Sequence, residues 1–246
     1  LSKQGVAYFS ELISKDPKNA KLWCQRADAG CSENAIDDYT EAIRLDPANV
    51  NACRGRASYH AALDDFESAI IDFTEALRLD PTNAEICCER AAIRQSKGHL
   101  ESAMSDFTEA IRIDPTYTPA FKSRAELRSQ MGELDGVLQD LTEIIRLDPD
   151  DNRAYIDRAE ILFNKGDIDA TIKDYVEALR VFPANWRLTQ RVAWWRATHP
   201  DERYRNGKQA VEFAKRLCET PFWPDQMKIT AAALAEVGDF EAAVDW

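Results

Sequence analysis

The stretch AIIDFTEALRLDP, Ala69 to Pro81, decides the fold, because it returns as AMSDFTEAIRIDP at 103–115 and as AIDDYTEAIRLDP at 35–47. Working outward, prolines 47, 81, 115, 149 and 183 fall 34 residues apart. A fixed period of that length marks a repeat array, in which each unit buries its apolar face only by stacking on its neighbours. With the proline numbered 32 in every unit, position 4 reads Trp23, Cys53, Cys87, Phe121, Tyr155 and position 8 reads Ala27, Ala57, Ala91, Ala125, Ala159. Position 20 reads Ala35, Ala69, Ala103, Val137, Thr171, and position 24 reads Tyr39, Phe73, Phe107, Leu141, Tyr175. Small residues at 8 and 20 let two helices approach closely, and the larger side chains at 4 and 24 fill the space beside them.

The boundaries have local causes. Asp-Pro after Arg-Leu or Arg-Ile stops the second helix, and Asn19, Asn49, Asn83, Asp151 or Asn185 is placed to cap the next first helix. In YTPAF, Thr118 is the expected cap and Pro119 sits in the first turn. Gly98, Gly132, Gly166 and Gly238 mark the turn inside each pair, and Gly30 aligns with them. The run from Ala27 to Gly30 is nevertheless four residues shorter than its counterpart from Ala91 to Gly98. Four residues are about one helical turn, so either the first helix is one turn short or residues are absent from the sequence.

Composition limits the function. The chain has 246 residues with 31 Lys plus Arg against 43 Asp plus Glu, a net charge of -12 that disfavours nucleic-acid backbones and anionic membrane surfaces as partners. Only 9 Gly and 10 Pro, with 45% hydrophobic residues, indicate a helical chain with a continuous core. No apolar run approaches the roughly 20 residues of a membrane span, so no direct membrane insertion is expected. Six cysteines lack metal or disulfide-framework spacing, and Cys53 and Cys87 share a repeat position, so they are read as reduced packing residues. Reduced thiols and no signal-peptide pattern in LSKQGVAYFSELISKDP lead to a cytoplasmic expectation, with export left open.

These recurring positions together resemble the tetratricopeptide repeat family, whose pattern is an aromatic and a small residue on helix A, Ala-x3-Phe on helix B, then Pro. The resemblance implies an all-α fold, a right-handed α-solenoid of antiparallel helix pairs forming one superhelical array over 1–246. Within it, 1–17 is the second helix of a preceding unit and 18–49 a shortened unit. Regular units follow at 50–83, 84–117, 118–151 and 152–185, then an irregular unit with an insertion at 186–223 and a partial terminal unit at 224–246. From Ala193 to Val211, and again from Ala231 to Val244, the chain is similar to the terminal segment of repeat proteins from planctomycete-type bacteria, to which no chemistry is attached.

No set of residues converges on catalysis. His60, His99 and His199 fall in different units with no metalloprotease or hydrolase signature, and no glycine-rich phosphate loop appears, so neither an enzyme nor a cofactor is expected. Acidic neighbours such as Asp64 and Asp65 sit at turns and are read as caps. Position 7 is Arg26, Arg56, Arg90, Arg124 and Arg158, and position 23 is Asp38, Asp72, Asp106, Asp140 and Asp174. Their parallel recurrence suggests structural Arg-Asp pairs bridging helix A to helix B, since packing repeats in every unit and functional sites rarely do.

The resemblance places helix A on the concave side, and positions 2, 5, 9 and 12 share one helical face. That stripe varies from unit to unit. Its candidate groove residues are Arg54, Lys122, Glu126, Arg153, Ile156, Glu160, Phe163, Arg187, Gln190 and Trp194, joined by neighbouring Arg191. The family's Lys, Asn, Asn, Lys, Arg clamp for chaperone tails is absent. Residues 186–246 hold nine basic and nine acidic residues, so the excess acidity lies in 1–185, and Trp186, Trp194, Trp195 and Tyr204 accompany the arginines of 186–208. Arginine with aromatics is the composition of binding hot spots, although such aromatics also fill cores. The function implied is a noncatalytic scaffold binding a peptide or partner protein in the concave groove. Two other readings stay open: a structural or self-associating segment of a larger bacterial protein, joined through exposed terminal half-units, and a regulatory module appended to an enzyme domain.

Overall fold

The computed structural model describes residues 2–30, 34–218 and 224–239, and all regular structure among them is helical. The chain folds as two compact units, Leu1–Met131 and Gly132–Trp246. The first holds α1 (Ser2–Lys15), α2 (Ala20–Ala29), α3 (Ala35–Leu45), α4 (Val50–Ala62), α5 (Phe66–Leu79), α6 (Ala84–Ser96), α7 (Leu100–Ile113) and α8 (Thr118–Gln130). The second holds α9 (Leu134–Leu147), α10 (Asn152–Asn164), α11 (Ile168–Val181), α12 (Trp186–Thr198), α13 (Gly207–Cys218) and α14 (Pro224–Glu236). Packing is between near neighbours in sequence: α4 lies mainly on α5, α6 on α7, α10 on α11 and α12 on α13.

The small and large repeat positions carry this packing. Ala57, Ala69 and Ala76 have no exposed surface, and Phe73 is buried in one cluster with Ala57 and Ile86, Phe107 in another with Ala91 and Ala120. In the C-terminal unit Tyr155, Tyr175, Leu179, Val192 and Phe213 form one continuous core. Full burial of each such side chain contributes about 1.5–3 kcal/mol relative to exposure.

The connections follow from their residues. Asp46, Asp80, Asp114 and Asp148 each end a helix and accept from the backbone N–H two residues on, closing the turn that the following proline begins. Asn49, Asn83, Asp151 and Asn185 accept from the third residue beyond and cap the helices they precede. Two expected caps do not form. Asn19 makes no side-chain cap bond, and its side-chain amide donates to Asp16 at 3.2 Å. Thr118 is the first residue of α8 rather than its cap; Tyr117 takes the cap position without a side-chain bond, and Thr118 bonds back to Thr116 O.

Inside each pair the turn needs a left-handed residue. Gly98 supplies it at φ +79, and His99 N–H donates to Arg94 O at 2.9 Å to close the helix end. At the same place in the repeat stands Asp64, at φ +60, the one non-glycine residue with positive φ among the described residues. Asp65, beside it, caps α5 through Ser68 N–H.

Gly30 departs from that pattern. Its φ is -116, extended backbone rather than the left-handed turn of Gly98, so the alignment of the two glycines does not carry over to conformation. The helix before it, α2, has 10 residues where α4, α6, α8, α10 and α12 each have 13. The carbonyls left by the early ending are taken by Tyr59 of α4, whose hydroxyl lies 3.2 Å from Ala27 O and 2.7 Å from Gly30 O. Residues 31–33, which follow, lie outside the described residues.

Candidate functional site

The recurring arginines and aspartates meet in a bidentate geometry. Arg56 donates to Asp72 at 2.8 and 2.7 Å, Arg90 to Asp106 at 2.9 and 2.8 Å, and Arg158 to Asp174 at 2.7 Å through each nitrogen. Arg26 does the same to Asp38 at 2.8 and 2.5 Å. Each of these carboxylates is 5% exposed or less. The remaining guanidinium N–H reaches the helix before: Arg26 to Ser10, Arg56 to Thr40, Arg90 to Thr74 and Arg158 to Thr142. The arginine is therefore a joint between three helices. Arg124, on α8, donates to Thr108 at 3.2 Å in the same way, and Asp140 of the C-terminal unit is buried.

Sequence reading missed that third contact, although Thr40, Thr74, Thr108 and Thr142 recur with the same period. It also missed a second side chain, four residues after the arginine, that approaches the same aspartate. Arg94 donates to Asp106 at 2.6 Å, and His60 stands there in the previous repeat, 3.2 Å from Asp65 and 3.9 Å from Asp72. Where the next repeat has Val192 at the arginine position, the threonine position is filled by Val176, and that joint is apolar.

The candidate groove residues divide between the units. In the N-terminal unit Arg54 is held by Glu85 and Glu89, each at 2.6 Å, and Lys122 and Glu126 are exposed on α8. Arg54 lines a cleft of about 490 Å³ with Lys21, Asp28, Tyr39, Gly55 and Tyr59. Cys24 also borders it, and burial pushes its thiol up to about 11, so it is protonated and unreactive at neutral pH. The floor is the ring of Tyr39, which occupies the space a side chain at Gly55 would need: a Cβ there would lie 2.4 Å from the ring. The Tyr39 hydroxyl donates to Asp28.

In the C-terminal unit Arg187, Gln190, Arg191 and Trp194 of α12 come together with Lys228 and Ile229 of α14 around a second cleft of about 450 Å³. Lys228 and Ile229 were not among the sequence candidates. Trp194 is 44% exposed, and Ile229 is buried beneath. Arg191 stacks over three rings, 5.3 Å from Phe163 and 5.1 Å from both Tyr175 and Trp195, while Phe163 and Trp195 lie 5.1 Å apart. Arg187 lies 5.2 Å over Trp186. Arg153 pairs with Asp157 of its own helix at 2.8 Å, Glu160 is exposed, and Ile156 packs on the core; none of the three lines the cleft.

Behind the cleft, the inserted residues after α12 are tied down. Arg196 donates to Tyr204 O at 3.1 Å and its own carbonyl accepts from Asn206 N–H at 2.8 Å. Arg205 pairs with Glu202 at 2.7 Å and with Glu236 of α14 at 3.1 Å. These contacts join the inserted residues to α12 and to α14, the two helices that line the cleft. Among the described residues no group of three His, Cys, Asp or Glu side chains is placed to hold a metal, and no helix is long and apolar enough to cross a membrane.

Tetratricopeptide repeat models match residues 26–84, and 84–117 with 153–185. No curated protein matches the sequence. Among solved structures, the C-terminal part of a repeat-containing protein from Cytophaga hutchinsonii is similar with a TM-score of 0.71 at 14% identity, covering 93% of this chain and 94% of that one. YrrB, described as a tetratricopeptide repeat protein with an unusual peptide-binding site, gives a TM-score of 0.57 at 18% identity over 73% of this chain and 95% of its own. Yeast Tom70 gives 0.55 at 20% identity over 99% of this chain and 53% of its own.

Proposed function

Because the chain belongs to the tetratricopeptide repeat family, a family of generally noncatalytic protein-interaction scaffolds, we propose that it is a noncatalytic adaptor that docks a peptide or partner protein in its helix-A groove. The principal contact is the cleft between α12 and α14. One observation carries this reading: Arg187 and Arg191 have no carboxylate partner among the described residues, in a chain where acidic residues outnumber basic ones by 43 to 31. Their stacking on aromatic rings and the half-exposed Trp194 give the surface the composition of an interaction hot spot. The peptide site described for YrrB, which shares the fold, agrees with such a use.

A displayed library of random peptides panned on the full chain tests it, with an Arg187→Glu chain as counter-selection. Peptides retained by the unaltered chain and lost on the variant, at equal melting temperature, support the cleft as the docking site. Identical peptide sets on both chains overturn it.

A further inference from the structure

We infer that the occupant of the α12–α14 cleft is an extended acidic segment in which two carboxylate side chains, separated by one residue, are flanked on one side by an aromatic or large aliphatic residue. This rests on the docking role proposed for that cleft.

The argument begins with charge. Other arginines of the C-terminal unit hold carboxylates: Arg158 has Asp174, Arg180 has Glu177, Arg203 has Asp201 and Arg216 has Glu212. Arg187 and Arg191 meet aromatic faces instead. A guanidinium over a ring face is attracted by the ring without spending its N–H donors, which a carboxylate can still accept from. The rings thus orient two cations without neutralising them.

Spacing then selects the ligand. Arg187 and Arg191 are four residues apart on one helix, about 6 Å along its axis. An extended chain presents side chains to one face about every 6.7 Å. Two carboxylates at alternate residues therefore match the two arginines, whereas adjacent ones point to opposite faces. Trp194 continues the same helical face about 4.5 Å further on, above buried Ile229, and there the ligand meets an apolar surface. Gln190 offers a donor and an acceptor to the ligand backbone between the arginines.

Fluorescence anisotropy on the full chain, with acetylated and amidated probes, tests this pattern. The probe Glu-Ser-Glu-Ser-Phe is expected to bind, and Gln-Ser-Gln-Ser-Phe to bind at least about tenfold more weakly, the size of one charge-assisted contact. Glu-Glu-Ser-Ser-Phe and Glu-Ser-Glu-Ser-Ala are each expected to lose several-fold, and added salt to weaken the parent probe. Arg187→Gln lowers its affinity about tenfold at unchanged melting temperature. Arg191→Lys, which keeps the charge, separates stacking from charge should a smaller residue unfold the unit. Equal binding of the Glu and Gln probes overturns the acidic pattern while leaving peptide docking in place. Failure of every probe, together with an empty peptide selection, overturns both. Tighter binding of phosphatidylserine vesicles or a single-stranded oligonucleotide, lost in Arg187→Gln, overturns the peptide occupant in favour of a phosphate-bearing one.

Discussion

Tyr39 in the N-terminal unit and Tyr175 in the C-terminal unit occupy the same repeat position, and each lies against the same position of the repeat that follows, Gly55 in one case and Arg191 in the other. Around Tyr39 the groups at the centre of the cleft are met from within: its hydroxyl is taken by Asp28, and Arg54 is held by Glu85 and Glu89, while Lys21 stands exposed at the edge. Around Tyr175 the pattern is reversed. Its ring is covered by a cation that no carboxylate meets, and its own hydroxyl, fully buried, has no hydrogen-bond partner among the described residues. The same repeat position thus holds a glycine over the tyrosine ring in one unit and an arginine over it in the other.

What the two regions share is the arginine joint, and breaking it is the largest expected effect. Asp72→Ala and Asp174→Ala each strand a guanidinium that also anchors a neighbouring helix. We expect a loss of about 2–4 kcal/mol for each, toward the lower side for a broken buried pair because the arginine keeps some contact with water. Urea unfolding measures it. A loss under about 1 kcal/mol at either site would mean that the joints of the two units are not equivalent.

Next in size is the asymmetry itself. Gly55→Ala drives a Cβ to within 2.4 Å of the Tyr39 ring, so either the ring or α4 must shift, at about 1–3 kcal/mol. Arg191→Ala, at the matching position, meets no such ring clash but gives up its place over the Phe163, Tyr175 and Trp195 rings, at about 0.5–2 kcal/mol. Both costs are read from melting curves; no shift for Gly55→Ala would show that Tyr39 moves freely and that the glycine is not what shapes the N-terminal cleft.

The sequence made the fold legible because its determinants are periodic and local. Ala57, Ala69 and Phe73 recur at a fixed interval, and the Asp-Pro turns and asparagine caps act within four residues. The site was legible only in part. Arg187, Gln190, Arg191 and Trp194 lie on one helix and could be read as a face, but Lys228 and Ile229 arrive from α14, beyond an insertion that ends the 34-residue period. The neutralisation of Arg54 depends on Glu85 and Glu89 of the next repeat, a contact across units rather than along one helix. Gly30 shows the converse failure: a residue can match in alignment and differ in backbone, because the helix before it ended a turn early and Tyr59 took the exposed carbonyls.

The smallest effect discriminates most sharply between the clefts. Both phenols are pushed up, by burial first in each case, so both hydroxyls stay protonated at neutral pH. Tyr39→Phe removes a donor that Asp28 uses and should cost about 0.5–1.5 kcal/mol. Tyr175→Phe removes a buried hydroxyl that bonds to nothing in the described protein, which relieves a desolvation cost and leaves the Arg191 stack intact. It should be neutral or slightly stabilising, with the affinity for an acidic probe unchanged. Measured side by side, a loss for Tyr39→Phe and none for Tyr175→Phe supports the contrast between an internally satisfied cleft and a receptive one. A comparable loss for Tyr175→Phe would mean that its hydroxyl has a partner in solution, and the C-terminal cleft would then be less open to ligand than its unmatched arginines imply.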